Sequence, residues 1–107
     1  MKFEIYFPSK DKDGKDLEAL KRFQSFHKIH ETLIREFSGY TKIPAKGMYH
    51  GKDGKTVSED IIIFLVYTSD MNKGNIKANI RELCQDLKNE LHQASVMYTI
   101  NNEVYFV

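Results

Sequence analysis

Glu59 and His50 are residues whose types fit acid–base chemistry, and Gln93 is the polar side chain that would complete a pocket with them. Glu59 and Asp60 open the only long unbroken apolar run, Ile61-Ile62-Ile63-Phe64-Leu65-Val66. If the segments flanking Lys52-Asp53-Gly54 pair symmetrically, Glu59 falls opposite His50 or Tyr49, and a carboxylate, an imidazole and a phenol would share a small polar pocket. Gln93 would add an amide at the same end. An exposed charge at a strand edge explains Glu59 equally well. The set contains no nucleophile–base pair and no complete metal shell, so it does not by itself define a reaction.

Other patterns imitate chemistry. His27 and Glu31 are four apart in a helical segment and share a face, where they could chelate a metal, with His30 as a poorer third. The order H-x-x-H-E is neither zinc-protease pattern. Gly54-Lys55-Thr56 copies the end of a phosphate loop, but Tyr49 stands where the first glycine is required, and the context is strand–strand. Ser9 to Gly14 resembles the opening of a calcium loop, yet Leu20 occupies the position of the bidentate glutamate. Cys84 falls between Leu83 and Leu87 on an apolar stripe, where a free cysteine acts as a small hydrophobe. No cofactor signature is present.

The elements that must position these residues follow from periodicity. Lys2 to Phe7 alternates and Pro8 closes it, a half-buried strand. Ser9 to Lys15 is a polar turn. Asp16 is the expected N-cap of a helix reaching Phe37, with Gly39 as its stop and Leu17, Leu20, Phe23, Phe26, Leu33, Ile34 and Phe37 as its apolar stripe. Tyr40 to His50, interrupted by Pro44 and Gly47, is a second strand near an edge or bulged. Gly51 to Lys55 turns the chain into a long third strand, Thr56 to Thr68. Ser69 to Asn75 is a loop with its own capping residues, and Ile76 to His92 is a second amphipathic helix. A strand carrying Val96, Tyr98 and Ile100 follows, then an Asn101-Asn102 turn and a short last strand.

That order, β-α-β-β-α-β with a small terminal strand, predicts an α+β fold of ferredoxin-like topology over residues 1–107, with both helices on one face of an antiparallel sheet. Six consecutive apolar residues on the third strand make both sheet faces apolar. The second face therefore needs a cover, and Ile61, Ile63, Leu65 and Tyr67 are its expected oligomer interface in a homodimer or higher homo-oligomer. The 107 residues hold 16 basic and 15 acidic side chains, a formal charge of +1, so no bulk field steers the chain to nucleic acid or membrane. The single cysteine fits a reducing compartment. No basic-then-apolar leader follows Met1 and no apolar stretch approaches ~20 residues, so the expected location is the cytoplasm. A single-stranded RNA-binding sheet would need an aromatic–basic cluster where the third strand reads EDIIIFLVYT.

Gly39-Tyr40-Thr41, Gly47, Asp53-Gly54, Glu59 before an apolar strand, and Gln93-Ala94-Ser95-Val96 together resemble an uncharacterised family of small bacterial and phage proteins with a ferredoxin-like domain. That family reads roughly G-x-T…G-x-W…G…E…Q-x-S-V, and Tyr49 stands where a Trp-type aromatic is expected. The resemblance spans about Phe23 to Val96 and implies a fold more than an activity. The leading functional expectation is a non-enzymatic oligomeric binding or regulatory protein of phage or mobile-element origin, acting through a protein partner or a small ligand between subunits. A small enzyme built on Glu59, His50 and Gln93 is the alternative, and the RNA-binding sheet a second one.

Overall fold

Alternation of Phe3, Ile5 and Phe7 with polar neighbours sends three large apolar side chains to one face of β1 (Lys2–Phe7), and all three are fully buried. The computed structural model describes residues 1–69 and 73–107. After β1 come α1 (Ala19–Phe37), β2 (Thr41–His50), β3 (Thr56–Tyr67), α2 (Lys73–Glu90), β4 (Met97–Ile100) and β5 (Glu103–Phe106). The strands form one antiparallel sheet in the order β2-β3-β1-β4-β5. Two helices on a five-stranded antiparallel sheet fit a ferredoxin-like class, although the order, with β5 added at an edge, is not that of the plain four-stranded fold. Asn101 and Asn102 make the β4–β5 turn with φ of 50° and 71°, the left-handed pair that a two-residue hairpin demands.

Register assigns the faces. Ile5 sits opposite Phe64 and Phe3 opposite Val66, so Ile62, Phe64 and Val66 share the helix-covered face with β1's phenylalanines. Ile29 and Leu33 of α1 and Ile80, Cys84 and Leu87 of α2 pack against that face. Ile61, Ile63, Leu65 and Tyr67 consequently lie on the opposite face, with Ile43, Tyr6, Met97, Val104 and Phe106. β2 is an edge strand, as Pro44 requires, and it pairs residue for residue with β3 without a bulge.

The first helix reaches Phe37 as expected and departs from expectation at its start, in its C-cap and along its stripe. It begins at Ala19, because Asp16 is taken up in a bridge with Lys10 and the capping position falls to Glu18. It ends on Ser38, which takes the left-handed conformation (φ 65°) in place of Gly39 and donates its N–H to Ile34 at 3.0 Å. Packing fixes that end, since the Phe37 ring meets Phe3 edge-on at 5.0 Å. The expected stripe passed over Ile29, which is the centre of the buried face. At 3.6 residues per turn Leu20 lies about 180° from Ile29, with Phe23 and Ile34 more than about 120° away. Leu20 is accordingly 59% exposed. The second helix begins earlier than expected and stops at Glu90; part of the preceding loop, with its expected capping residues, lies outside the described residues. Among the described residues no helix is long and apolar enough to cross a membrane.

Two leucines of α1 should separate in a urea unfolding experiment. Leu33→Ala, at a site 1% exposed, is expected to cost about 2–5 kcal/mol. Leu20→Ala should stay within about 0.5 kcal/mol of the parent.

Candidate functional site

β1 ends at Phe7, and Pro8 follows it. Beyond that point β3 and the segment leading into β4 face each other across a gap, and Glu59 reaches in from one side and Gln93 from the other. The peptide of Lys10 lies between them. Glu59 Oε2 accepts the backbone N–H groups of Lys10 at 3.0 Å and Ser9 at 3.2 Å, while Gln93 Nε2 donates to the Lys10 carbonyl at 2.8 Å and to the Leu91 carbonyl at 2.8 Å. Both partners are therefore fixed by backbone, with one oxygen each, Glu59 Oε1 and Gln93 Oε1, making no hydrogen bond among the described residues.

The turn after α2 places Gln93. His92 adopts φ of 50°, and the Gln93 N–H closes on the Lys88 carbonyl at 3.0 Å, so the chain reverses tightly and aims the amide back at the loop. The loop itself is stiffened from within. Asp11 Oδ1 accepts from the N–H groups of Asp13 at 2.8 Å and Lys15 at 3.0 Å, and Leu17 donates to Ser9 at 3.0 Å. Lys52, at the tip of the β2–β3 hairpin, reaches Asp13 at 2.7 Å. A stretch that reads as a plain polar turn is thus one wall of the site.

Two adjoining hollows meet at these side chains. One, of about 410 Å³, is lined on the open sheet face by Tyr6, Ile61, Met97 and Phe106. The other, of about 340 Å³, is bounded by Asp11, Lys12 and Ala94. Tyr49, Glu59, Gln93 and Ser95 line both. Burial first, then the Glu59 and Asp11 carboxylates, pushes the Tyr49 phenol up, so it remains a neutral donor around neutral pH. Burial likewise raises Tyr6, with Glu4 adding to the effect. A larger groove of about 610 Å³ lies on the helix side between Arg22, Phe23, Phe26 and Lys46. Glu59, Lys10 and Asp16 border this groove too, while Lys46 pairs with Asp60 at 2.6 Å and Arg22 Nε donates to the Pro8 carbonyl at 3.0 Å. The smaller pair of hollows is the better chemical site.

The structure places Glu59 and Gln93 together and leaves His50 out. His50 pairs with Thr56 on β3, is exposed, and is not among the residues lining either hollow. The residue opposite Glu59 is Gly47, and Tyr49 faces Val57: the hairpin is symmetric about Asp53, so symmetric pairing itself sets Glu59 against Gly47, two to three residues from the expected Tyr49 or His50. Tyr49 still reaches the site by sharing the face two positions along. Ser95 figured in the sequence only as the serine of the Gln93-Ala94-Ser95-Val96 resemblance, without a place beside Glu59, and the structure sets it on the lining of both hollows. His27 Nε2 stands 3.2 Å from Glu31 Oε1 with both exposed, and among the described residues no group of three or more ligands gathers to hold a metal. His30 Nδ1 lies 2.7 Å from the Tyr40 hydroxyl, which accounts for its half-buried ring. Gly54 has φ of +78° in the hairpin turn, a backbone need that accounts for the glycine of the GKT sequence. Burial pushes the Cys84 thiol up to about 12, which leaves it unreactive.

The sequence matches the family described as protein of unknown function (DUF3574) over residues 2–106. The chain belongs to that family. No protein of curated function matches this DUF3574 chain. Two solved structures share its fold. One is a phage SAM lyase in complex with S-methyl-5'-thioadenosine, with a TM-score of 0.72 and 15% identity, covering 99% of this chain and 87% of the other. The second is a phage SAM lyase in the apo state, with a TM-score of 0.68 and 14% identity, covering 99% and 86%. At that identity the likeness is one of fold, and it corrects the leading expectation of a non-enzymatic binding protein: both of these structural neighbours are of an enzyme. The small-enzyme alternative fits them better.

Removing the Glu59 carboxylate should release the loop. In Glu59→Ala the Ser9 and Lys10 amides should exchange with deuterium at least about tenfold faster, whereas Glu59→Gln, which keeps an acceptor oxygen, should retain most of the protection.

Proposed function

We propose that this chain is a small enzyme that cleaves a carbon–sulfur bond of an adenosyl sulfonium such as S-adenosylmethionine, using the double hollow around Glu59, Tyr49, Gln93 and Ser95. The observation that carries the reading is the meeting of those four side chains at the seam of two adjoining hollows. The shared fold with a phage SAM lyase supplies the substrate class.

The chemistry of the lining suits such a substrate. A sulfonium is a cation with an apolar surround, favoured by aromatic faces and a carboxylate, and Tyr6, Tyr49, Phe106 and Glu59 provide both. Gln93 Oε1 and the Ser95 hydroxyl are free to meet the polar edge of a nucleoside. The hollow on the sheet face contains no Lys, Arg or His in its lining, so the carboxylate of a bound amino-acid arm finds no cationic partner there. In our reading Glu59 holds the arm's ammonium, and the arm folds so that its own carboxylate oxygen attacks the carbon bonded to sulfur. A C–O bond forms as the C–S bond breaks, and the electron pair leaves on sulfur. The products are a lactone and the neutral thioether, S-methyl-5'-thioadenosine, with no water, external base or cofactor consumed. Opposite charges annihilate in the step, so an apolar site that excludes water lowers its barrier.

The test is product analysis by mass spectrometry after incubation with S-adenosylmethionine. S-methyl-5'-thioadenosine and a lactone should accumulate, and Glu59→Gln should lower the rate by about 10²-fold or more. A protein that neither consumes the sulfonium nor binds S-methyl-5'-thioadenosine in calorimetry would end this reading.

A further inference from the structure

Nothing among the described residues covers the face of the sheet opposite the helices. Ile43, Ile61, Ile63, Leu65, Tyr67, Met97, Val104 and Phe106 run across it from β2 to β5, with Tyr67 71% and Phe106 62% exposed. Strands of 4 to 12 residues, at about 3.3 Å per residue and about 4.8 Å between neighbours, give this face an area of roughly 600 Å² before side-chain relief. That area is the whole face, Lys2, Glu4, Thr41 and Thr99 included; it exceeds the ~500 Å² per partner that a specific interface needs, and its apolar part is of the size that marks interaction surfaces.

The geometry points to a second copy of this chain as the cover, and to the Glu59–Gln93 hollow as a site that the second copy completes. Two observations favour a copy over another occupant. The face carries both charge signs side by side on β1, Lys2 and Glu4, in the middle of the apolar field, so two copies facing each other can each set a lysine against a glutamate. With one lysine on the strands of that face, it lacks the basic character an anionic lipid surface or a nucleic acid would call for. The hollow and the face are continuous: Tyr6, Ile61, Met97 and Phe106 belong to both. A copy seated on the face would therefore close the outer side of the hollow and remove water from it. That second part rests on the reading of the hollow as a binding site; the covering of the face does not.

The experiment uses the full chain with Ser95→Cys as a reporter inside the hollow, the native Cys84 being buried and inert. Sedimentation at tens of micromolar should give a multiple of 12.5 kDa. Tyr67→Glu and Val104→Glu, both at exposed positions and remote from Glu59, should each return a folded 12.5 kDa species with unchanged circular dichroism. In either background the Ser95→Cys thiol should be alkylated at least about tenfold faster than in the assembled parent. A parent that sediments as a 12.5 kDa species overturns the proposal, as does a parent whose mass both glutamates leave unchanged. Equal alkylation rates in assembled and dissociated chains overturn the completion of the hollow, and so does S-methyl-5'-thioadenosine that binds equally tightly to assembled and dissociated chains that keep Ser95. A chain with its native Ser95 that assembles and responds as described to both glutamates yet ignores S-adenosylmethionine would refute the enzymatic reading alone.

Discussion

The backbone of Lys10 is gripped on both sides, its N–H by Glu59 of β3 and its carbonyl by Gln93 from the turn after α2. These contacts tie together segments roughly fifty and eighty residues apart in sequence, at the point where β1 has ended and the sheet would otherwise gape. A charge-assisted bond from a carboxylate to two backbone N–H groups is worth more than an ordinary surface contact, and it also fixes where the second carboxylate oxygen sits. The grip therefore does structural and chemical work with the same two side chains. The loop becomes a wall because Glu59 and Gln93 hold it, and each is held in turn with one acceptor oxygen left over.

The long apolar run of β3 is the other constraint. Alternation gives Phe64 and Val66 to the helix-covered core and Ile61, Ile63 and Leu65 to the opposite face, so one strand builds two surfaces at once. The run's polar leader, Glu59, is on the same side as Ile61 by the same alternation. Site and apolar face are contiguous because both are written on odd-numbered residues of a single strand, and any account of what covers the face bears on what enters the hollow.

Much of this fold is legible from residue patterns because β1, β3 and α2 carry clean periods. The strands fall within a residue or so of expectation, and the Asn101-Asn102 turn follows from the tolerance of asparagine for positive φ. The first helix is less legible, since a spacing of threes and fours drifts round a helix and lets Leu20 count as core when it lies opposite Ile29. For the site, residue types alone bring out Glu59 and Gln93. They fail on His50 because a strand sends neighbouring side chains to opposite faces, so Tyr49 could not enter the hollow together with His50. The wall from Ser9 to Lys12 has no local signature because its role comes from backbone groups and from contacts across long sequence separation, and Ser95, named in the Gln93-Ala94-Ser95-Val96 motif, gains its place beside Glu59 only through the fold.

The central claim is that the seam between Glu59 and Gln93 binds a nucleoside thioether. The most direct measurement is a titration of ¹⁵N-labelled protein with S-methyl-5'-thioadenosine, followed by NMR. The account predicts saturable shifts in the Gln93 side-chain amide and in the backbone amides of Lys10, Tyr49 and Ser95. Shifts confined to the groove beside Arg22 and Phe23, or no saturable shift at all, would contradict it.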